Sequence, residues 1–164
     1  MSECAPEQFW EYFDVGGVRI ARCVSDCADF GAVDVATREC VRPGACRFVV
    51  FGESVVSCYL ECPREIPLRL KNNELSSETW PVYECVAACA APYAIIDPTI
   101  GYCVDTCDSL LYDARKTQME CLPRRYVCEK AVRVGNQRKC VDECPAVLPW
   151  LGTDGICTDS CVVY

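Results

Sequence analysis

The sequence predicts a small disulfide-rich, mainly β fold: an elongated ladder of short disulfide-closed β-hairpin modules with little core and little helix. Three observations predict it. Seventeen of the 164 residues are Cys, a density that marks a disulfide scaffold or a metal-thiolate protein. The Cys pattern of the first half recurs in the second. Between the Cys lie short β-branched and aromatic runs broken by Gly, Pro and Asn, and no long stretch follows a 3.6-residue period.

Spacing separates disulfides from metal. Zinc knuckles favour C-x2-C, where a tight turn points two thiolates at one ion, and the chain has none. C-x3-C occurs six times instead: Cys23/Cys27, Cys58/Cys62, Cys85/Cys89, Cys103/Cys107, Cys140/Cys144 and Cys157/Cys161. Three Trp, eight Tyr and five Phe fill the intervals, which a metal-thiolate cluster has no use for. The chain has no His, so the commonest general base and mixed Cys/His zinc sites are absent. No catalytic constellation, metal site or cofactor is read from the sequence. The acidic linker residues (Asp26, Glu61, Asp105, Asp142, Glu143, Asp159) do not build a calcium loop of D-x-D-x-D-G type.

The repeat orders the chain. Cys4, Cys23, Cys27, Cys40, Cys46, Cys58, Cys62 and Cys85 answer Cys89, Cys103, Cys107, Cys121, Cys128, Cys140, Cys144 and Cys157. CVSDC (23–27) answers CVDTC (103–107), and Cys62-Pro63 answers Cys144-Pro145. ECVRPGAC (39–46) answers ECLPRRYVC (120–128), and these hold the only two longer linkers, an anomaly repeated at the same place in both copies. The expected organisation is copy 1 over 1–87, copy 2 over 88–160, and the start of a truncated third copy at 161–164.

The intervals then read in order. WEYFDV-GG-VRIA (10–21) is a hairpin turning on Gly16-Gly17, and RFVV-FGE-SVVS (47–57) has β-branched runs flanking a Gly. REIPLRLKNNEL (64–75) comes nearest to a helix, and Pro67 weakens it. YAII-DPTIG-Y (93–102) turns on Asp-Pro and Gly, AVRV-GN-QRK (131–139) on Gly135-Asn136, and GTDG (152–155) is a turn. A lone two-stranded hairpin is marginal in water. A disulfide across a loop of about 15 residues contributes about 3 kcal/mol through the unfolded state, so small loops persist with little core. Stacked on nearest neighbours, they form a rod.

Charge limits the partners. With 16 basic and 24 acidic residues the net charge is −8, which repels nucleic acid and anionic membranes. No stretch approaches the roughly 20 apolar residues of a transmembrane segment. Residues 1–20 lack the features of a signal peptide. Disulfides need an oxidising compartment, so the expected location is extracellular or at the cell surface, the chain being a fragment or mature form of something secreted. It has no N-glycosylation sequon.

CPREIPLRLKNNELSSETWPVYECVAACAAPYAIIDPTIGYCVDTC (62–107) and CVDECPAVLPWLGTDGICTDSC (140–161) resemble the furin-like, growth-factor-receptor cysteine-rich repeats. The spacing match covers most of the chain. The resemblance implies single-disulfide modules paired Cys4–Cys23, Cys27–Cys40, Cys46–Cys58, Cys62–Cys85, Cys89–Cys103, Cys107–Cys121, Cys128–Cys140 and Cys144–Cys157. Cys161 is then left unpaired or intermolecular. The family's other module pairs first with third and second with fourth; counted from Cys23 it leaves Cys4 over. The nearest-neighbour scheme is preferred because it encloses the hairpins.

The same resemblance makes loop 63–84 a candidate dimerisation arm, although its tip KNNELSSET (71–79) is polar. Apolar clusters on a thin rod are candidate contacts: Phe48 and Phe51, Trp150 and Leu151, and Val162, Val163 and Tyr164 beside Cys161. The expected function is that of a non-enzymatic extracellular structural or adhesion protein. It is read as a segment of a tandem rod on a cell surface or in a filament, with self-association or neighbouring repeats as partners. The alternative is a receptor ectodomain or ligand-binding module that dimerises through 63–84.

Overall fold

The computed structural model describes residues 3–161. Its strands pair as eight antiparallel hairpins, one in each long Cys-to-Cys interval. The first compact unit, Met1–Ala87, holds β1 (Phe9–Val15) with β2 (Val18–Val24), β3 (Ala32–Asp34) with β4 (Cys40–Val41), β5 (Phe48–Phe51) with β6 (Val56–Tyr59), and β7 (Leu68–Asn72) with β8 (Val82–Val86). The second, Ala88–Tyr164, holds β9 (Ile95–Asp97) with β10 (Tyr102–Val104), β11 (Leu111–Asp113) with β12 (Met119–Cys121), β13 (Ala131–Val134) with β14 (Gln137–Cys140), and β15 (Trp150–Leu151) with β16 (Cys157–Thr158). The division falls where the two sequence copies meet. One 3-10 turn, Pro43–Ala45, is the only helical element among the described residues.

Disulfides join Cys4–Cys23, Cys27–Cys40, Cys46–Cys58, Cys62–Cys85, Cys89–Cys103, Cys107–Cys121, Cys128–Cys140 and Cys144–Cys157. Every closing Cys lies in the second strand of its hairpin, and every opening Cys lies outside the strands. Cys161 is free and exposed.

Local chemistry explains the hairpins. Val15 pairs with Val18 across Gly16-Gly17, both glycines at positive φ, as a two-residue turn of the primed type requires. Val134 pairs with Gln137 across Gly135-Asn136, with Gly135 at positive φ in the first central position. Most opening Cys lead into a turn, and equivalent modules use equivalent turns. Phe30 N–H donates to the Cys27 carbonyl and Leu110 N–H to that of Cys107, while Ile66 and Leu148 donate to the carbonyls of Pro63 and Pro145. The two longer linkers both hold a Pro-led turn: Cys46 N–H donates to the Pro43 carbonyl, and Tyr126 N–H to that of Pro123. Segment 64–75 is not helical. Its chain turns at 64–66 and then runs extended from Leu68, immediately after Pro67.

One rule joins neighbouring hairpins inside each unit. The first strand of a hairpin pairs in parallel with the second strand of the next: β3 with β6, β5 with β8, β9 with β12, β11 with β14. The strand order is β4-β3-β6-β5-β8-β7 in the first unit and β10-β9-β12-β11-β14-β13 in the second. Single parallel bridges, Trp10 to Glu39 and Ala131 to Ile156, attach the end hairpins. The register is constant. A first-strand residue that faces its own closing Cys also faces the residue just before the next closing Cys. The pairs are Trp10/Glu39, Val33/Ser57, Val49/Glu84, Ile96/Glu120, Tyr112/Lys139 and Ala131/Ile156.

The core is thin and built around sulfur. One cluster holds Ala32, Cys46, Val49, Cys58 and Val82, with Leu75 packed against it. Another holds Cys27, Val33 and Cys40 under Phe9, Val24 and Phe30. In the second unit Ile95, Cys107 and Tyr112 form the third. Where apolar side chains are this few, the disulfides carry stability that a larger domain draws from burial.

Candidate functional site

The predicted contact residues separate on folding. Phe48 is 7% exposed. It lies beneath Arg69, whose guanidinium is 5.3 Å from the ring centroid, and beside Tyr83. It is a packing residue, and the expectation of a contact there is corrected: Arg69 of β7 and Tyr83 of β8, both in the next hairpin, cover it. Phe51, at the far end of the same strand, is 48% exposed. Trp150 and Leu151 are exposed on β15. Val162, Val163 and Tyr164 lie outside the described residues.

Segment 63–84 folds inward. The Asn72 carboxamide oxygen accepts from the backbone N–H groups of Glu74 and Leu75 at 3.1 and 3.0 Å. Ser76 Oγ donates to the Asn72 carbonyl and accepts from Val82 N–H. The Trp80 indole N–H donates to the Cys46 carbonyl at 3.2 Å, and Leu75 packs on the core cluster. The polar tip is thus tied to its own hairpin and to the one before.

The first hairpin offers a further apolar surface. Directly opposed residues share a face of an antiparallel pair. One face of β1–β2 therefore carries Phe13 with Ile20 and Val15 with Val18, all exposed. Inward of them on that face, Glu11 is buried and ion-paired with Arg22, whose guanidinium also lies over Phe13 at 5.3 Å. On the opposite face Arg19 covers Tyr12 at 4.4 Å. The alternation of Phe9, Glu11, Phe13 and Val15 was a usable signal for this face.

The buried polar groups among the described residues are Glu11, Asp113 and Gln137. Asp113 accepts two bonds from the Arg115 guanidinium, at 2.8 and 3.0 Å. These hold its carboxyl below the usual carboxylate range against the opposing effect of burial. Gln137 accepts from Cys107 N–H at 2.8 Å and donates to the Asp105 carbonyl at 3.0 Å. Gln118 repeats the device one hairpin earlier, accepting from Cys89 N–H and donating to the Ala94 carbonyl. Arg38, in the equivalent hairpin of copy 1, donates to the carbonyls of Ala5 and Gln8. These long polar side chains clip three of the hairpins to their predecessors. Sequence reading missed them, because the backbone groups that Gln118 and Gln137 bond lie about 30 residues away.

Compared with protein-family models, curated proteins and solved structures, the chain matches none. Among the described residues no helix is long and apolar enough to cross a membrane. Eight disulfides fit an oxidising, extracellular or secreted setting.

Proposed function

We propose that the chain is a non-enzymatic structural or adhesion module of an extracellular surface or filament. It is one segment of a tandem cysteine-rich rod of the kind the furin-like repeats form. The observation that carries this reading is the constant joint: within each unit three successive hairpin pairs meet in one and the same register. A repeated joint propagates an array. The buried polar groups serve the same end, since each is committed to an ion pair or to clipping backbone. The exposed apolar residues of β1–β2 and β15 supply contact surface.

Beads coated with the oxidised chain test the reading. Bead clustering or attachment to cells is expected, and is lost when dithiothreitol opens the disulfides. Beads inert in both states would contradict it.

A further inference from the structure

Each internal joint uses the same backbone groups. Trp10 N–H donates to the Arg38 carbonyl and Ala131 N–H to the Gly155 carbonyl, both at 2.8 Å. In return Tyr83 N–H donates to the Arg47 carbonyl at 2.9 Å, and Arg138 N–H to the Leu110 carbonyl at 2.8 Å. Val35 and Ala114 N–H donate to the carbonyls of Cys58 and Cys140. A second strand thus presents the residue two before its closing Cys, and that Cys itself, to the hairpin before it.

β2 presents the same groups to an open edge. Trp10 N–H is spent on Arg38, so Trp10/Cys23 is a non-hydrogen-bonded pair of the β1–β2 ladder. By alternation Tyr12/Ala21 is another. The backbone of Ala21 and Cys23 therefore points away from β1, and among the described residues β2 pairs with β1 alone. At the other end, Gly152 N–H bonds to the Ile156 carbonyl at 2.9 Å. Leu151/Cys157 is thus the non-hydrogen-bonded pair of β15–β16. The Leu151 backbone also points outward, and among the described residues β15 pairs with β16 alone.

Burial marks these edges as unfilled joints. Of the six residues that hold the position of Leu151 in the joined hairpins, Val33, Val49, Tyr112 and Ala131 are buried and Trp10 and Ile96 are half-buried, whereas Leu151 is 49% and Trp150 51% exposed.

We propose that β15 docks in parallel on the β2 edge of a second copy of this chain, with Leu151 opposite Arg22 and Trp150 opposite Ala21 of that copy. The register is the one shared by the six internal joints. Leu151 N–H donates to the second copy's Ala21 carbonyl, and that residue's N–H donates back to Pro149. Because the two edges differ, the contact is heterologous and leaves a free edge of each kind, so copies add head to tail. This inference rests on the structural-module reading and names its partner and contact.

The test is sedimentation of the oxidised chain carrying Cys161→Ser, which removes thiol cross-linking. So short a joint is weak, and the titration runs from about 10 µM to about 1 mM. The mean mass is expected to rise past twice the monomer mass. Ala21→Pro and Leu151→Pro each remove one outward N–H from an edge that tolerates Pro. Each variant alone should stay monomeric, and an equimolar mixture should approach twice the monomer mass and stop. Leu151→Lys, which keeps the backbone donor, should behave as Leu151→Pro does. An intact eight-disulfide map shows that each variant is folded.

A background protein that stays monomeric at about 1 mM, growth that stops at two copies, or growth unaffected by Ala21→Pro would overturn the proposal. A chain that clusters beads yet stays monomeric in solution would overturn this joint alone. Inert beads with head-to-tail growth would overturn the adhesion reading alone.

Discussion

At the scale of single residues, stability depends on polar side chains that seat one hairpin on another or hold a strand end. Asp113 is the one with a pH signature. Arg115 bonds it through the guanidinium and through its backbone N–H at 2.9 Å, which lowers its folded pKa. Below about pH 4 the unfolded chain then binds more protons than the folded one. The stabilisation is therefore full above that pH and lost as pH falls through the folded value. Asp113→Asn should lower Tm at pH 7, and the deficit should shrink toward zero below about pH 4. Discounted for an Arg115 side chain that is 30% exposed, the deficit at pH 7 is about 1 kcal/mol, or about 3 °C. Thermal melts at both pH values check it; a deficit independent of pH contradicts it. Little of this scale was legible beforehand. Phe48 and Phe51 look alike in the sequence, and only Arg69 and Tyr83, brought over from the next hairpin, bury the first. Gln118 and Gln137 belong to no motif because their partners are backbone groups about 30 residues away.

At the scale of elements, the hairpins were legible wherever a Gly-containing turn separates β-branched runs, as at Gly16-Gly17 and Gly135-Asn136. The parallel joints were not, since pairing between strands from different loops leaves no periodic trace in runs of two to five residues. Segment 64–75 shows the limit of pattern. Read as the stretch nearest to a helix, it carries Ile66, Leu68 and Leu70 at every second residue, a strand period, and after Pro67 the chain pairs with β8. The long loop sorts the two functional expectations. Replacing residues 73–79 with Gly-Ser residues of equal length removes Leu75 from its cluster and Ser76 from its bonds. The expected cost is about 2–3 kcal/mol, read as a lower denaturant midpoint, with self-association unchanged. Loss of association without loss of stability would instead favour a dimerisation arm.

At the scale of the whole molecule, the copy boundary read from Cys spacing coincides with the division between the compact units, and equivalent turns and clips recur in both. Covalent spacing set that much, because a three-residue linker between two Cys leaves the next hairpin few places to go. Each disulfide spans Cα atoms 5.3 to 5.6 Å apart, the ordinary separation across a disulfide, and each ties the second strand of a hairpin to the segment that leads into the first. Everything else rests on the pairing, and non-reducing proteolysis with mass spectrometry reads it directly. Eight peptide links, each joining consecutive Cys from Cys4–Cys23 to Cys144–Cys157, with alkylation confined to Cys161, is the expected result. Links from first to third and second to fourth Cys, with the label on Cys4, would contradict the account.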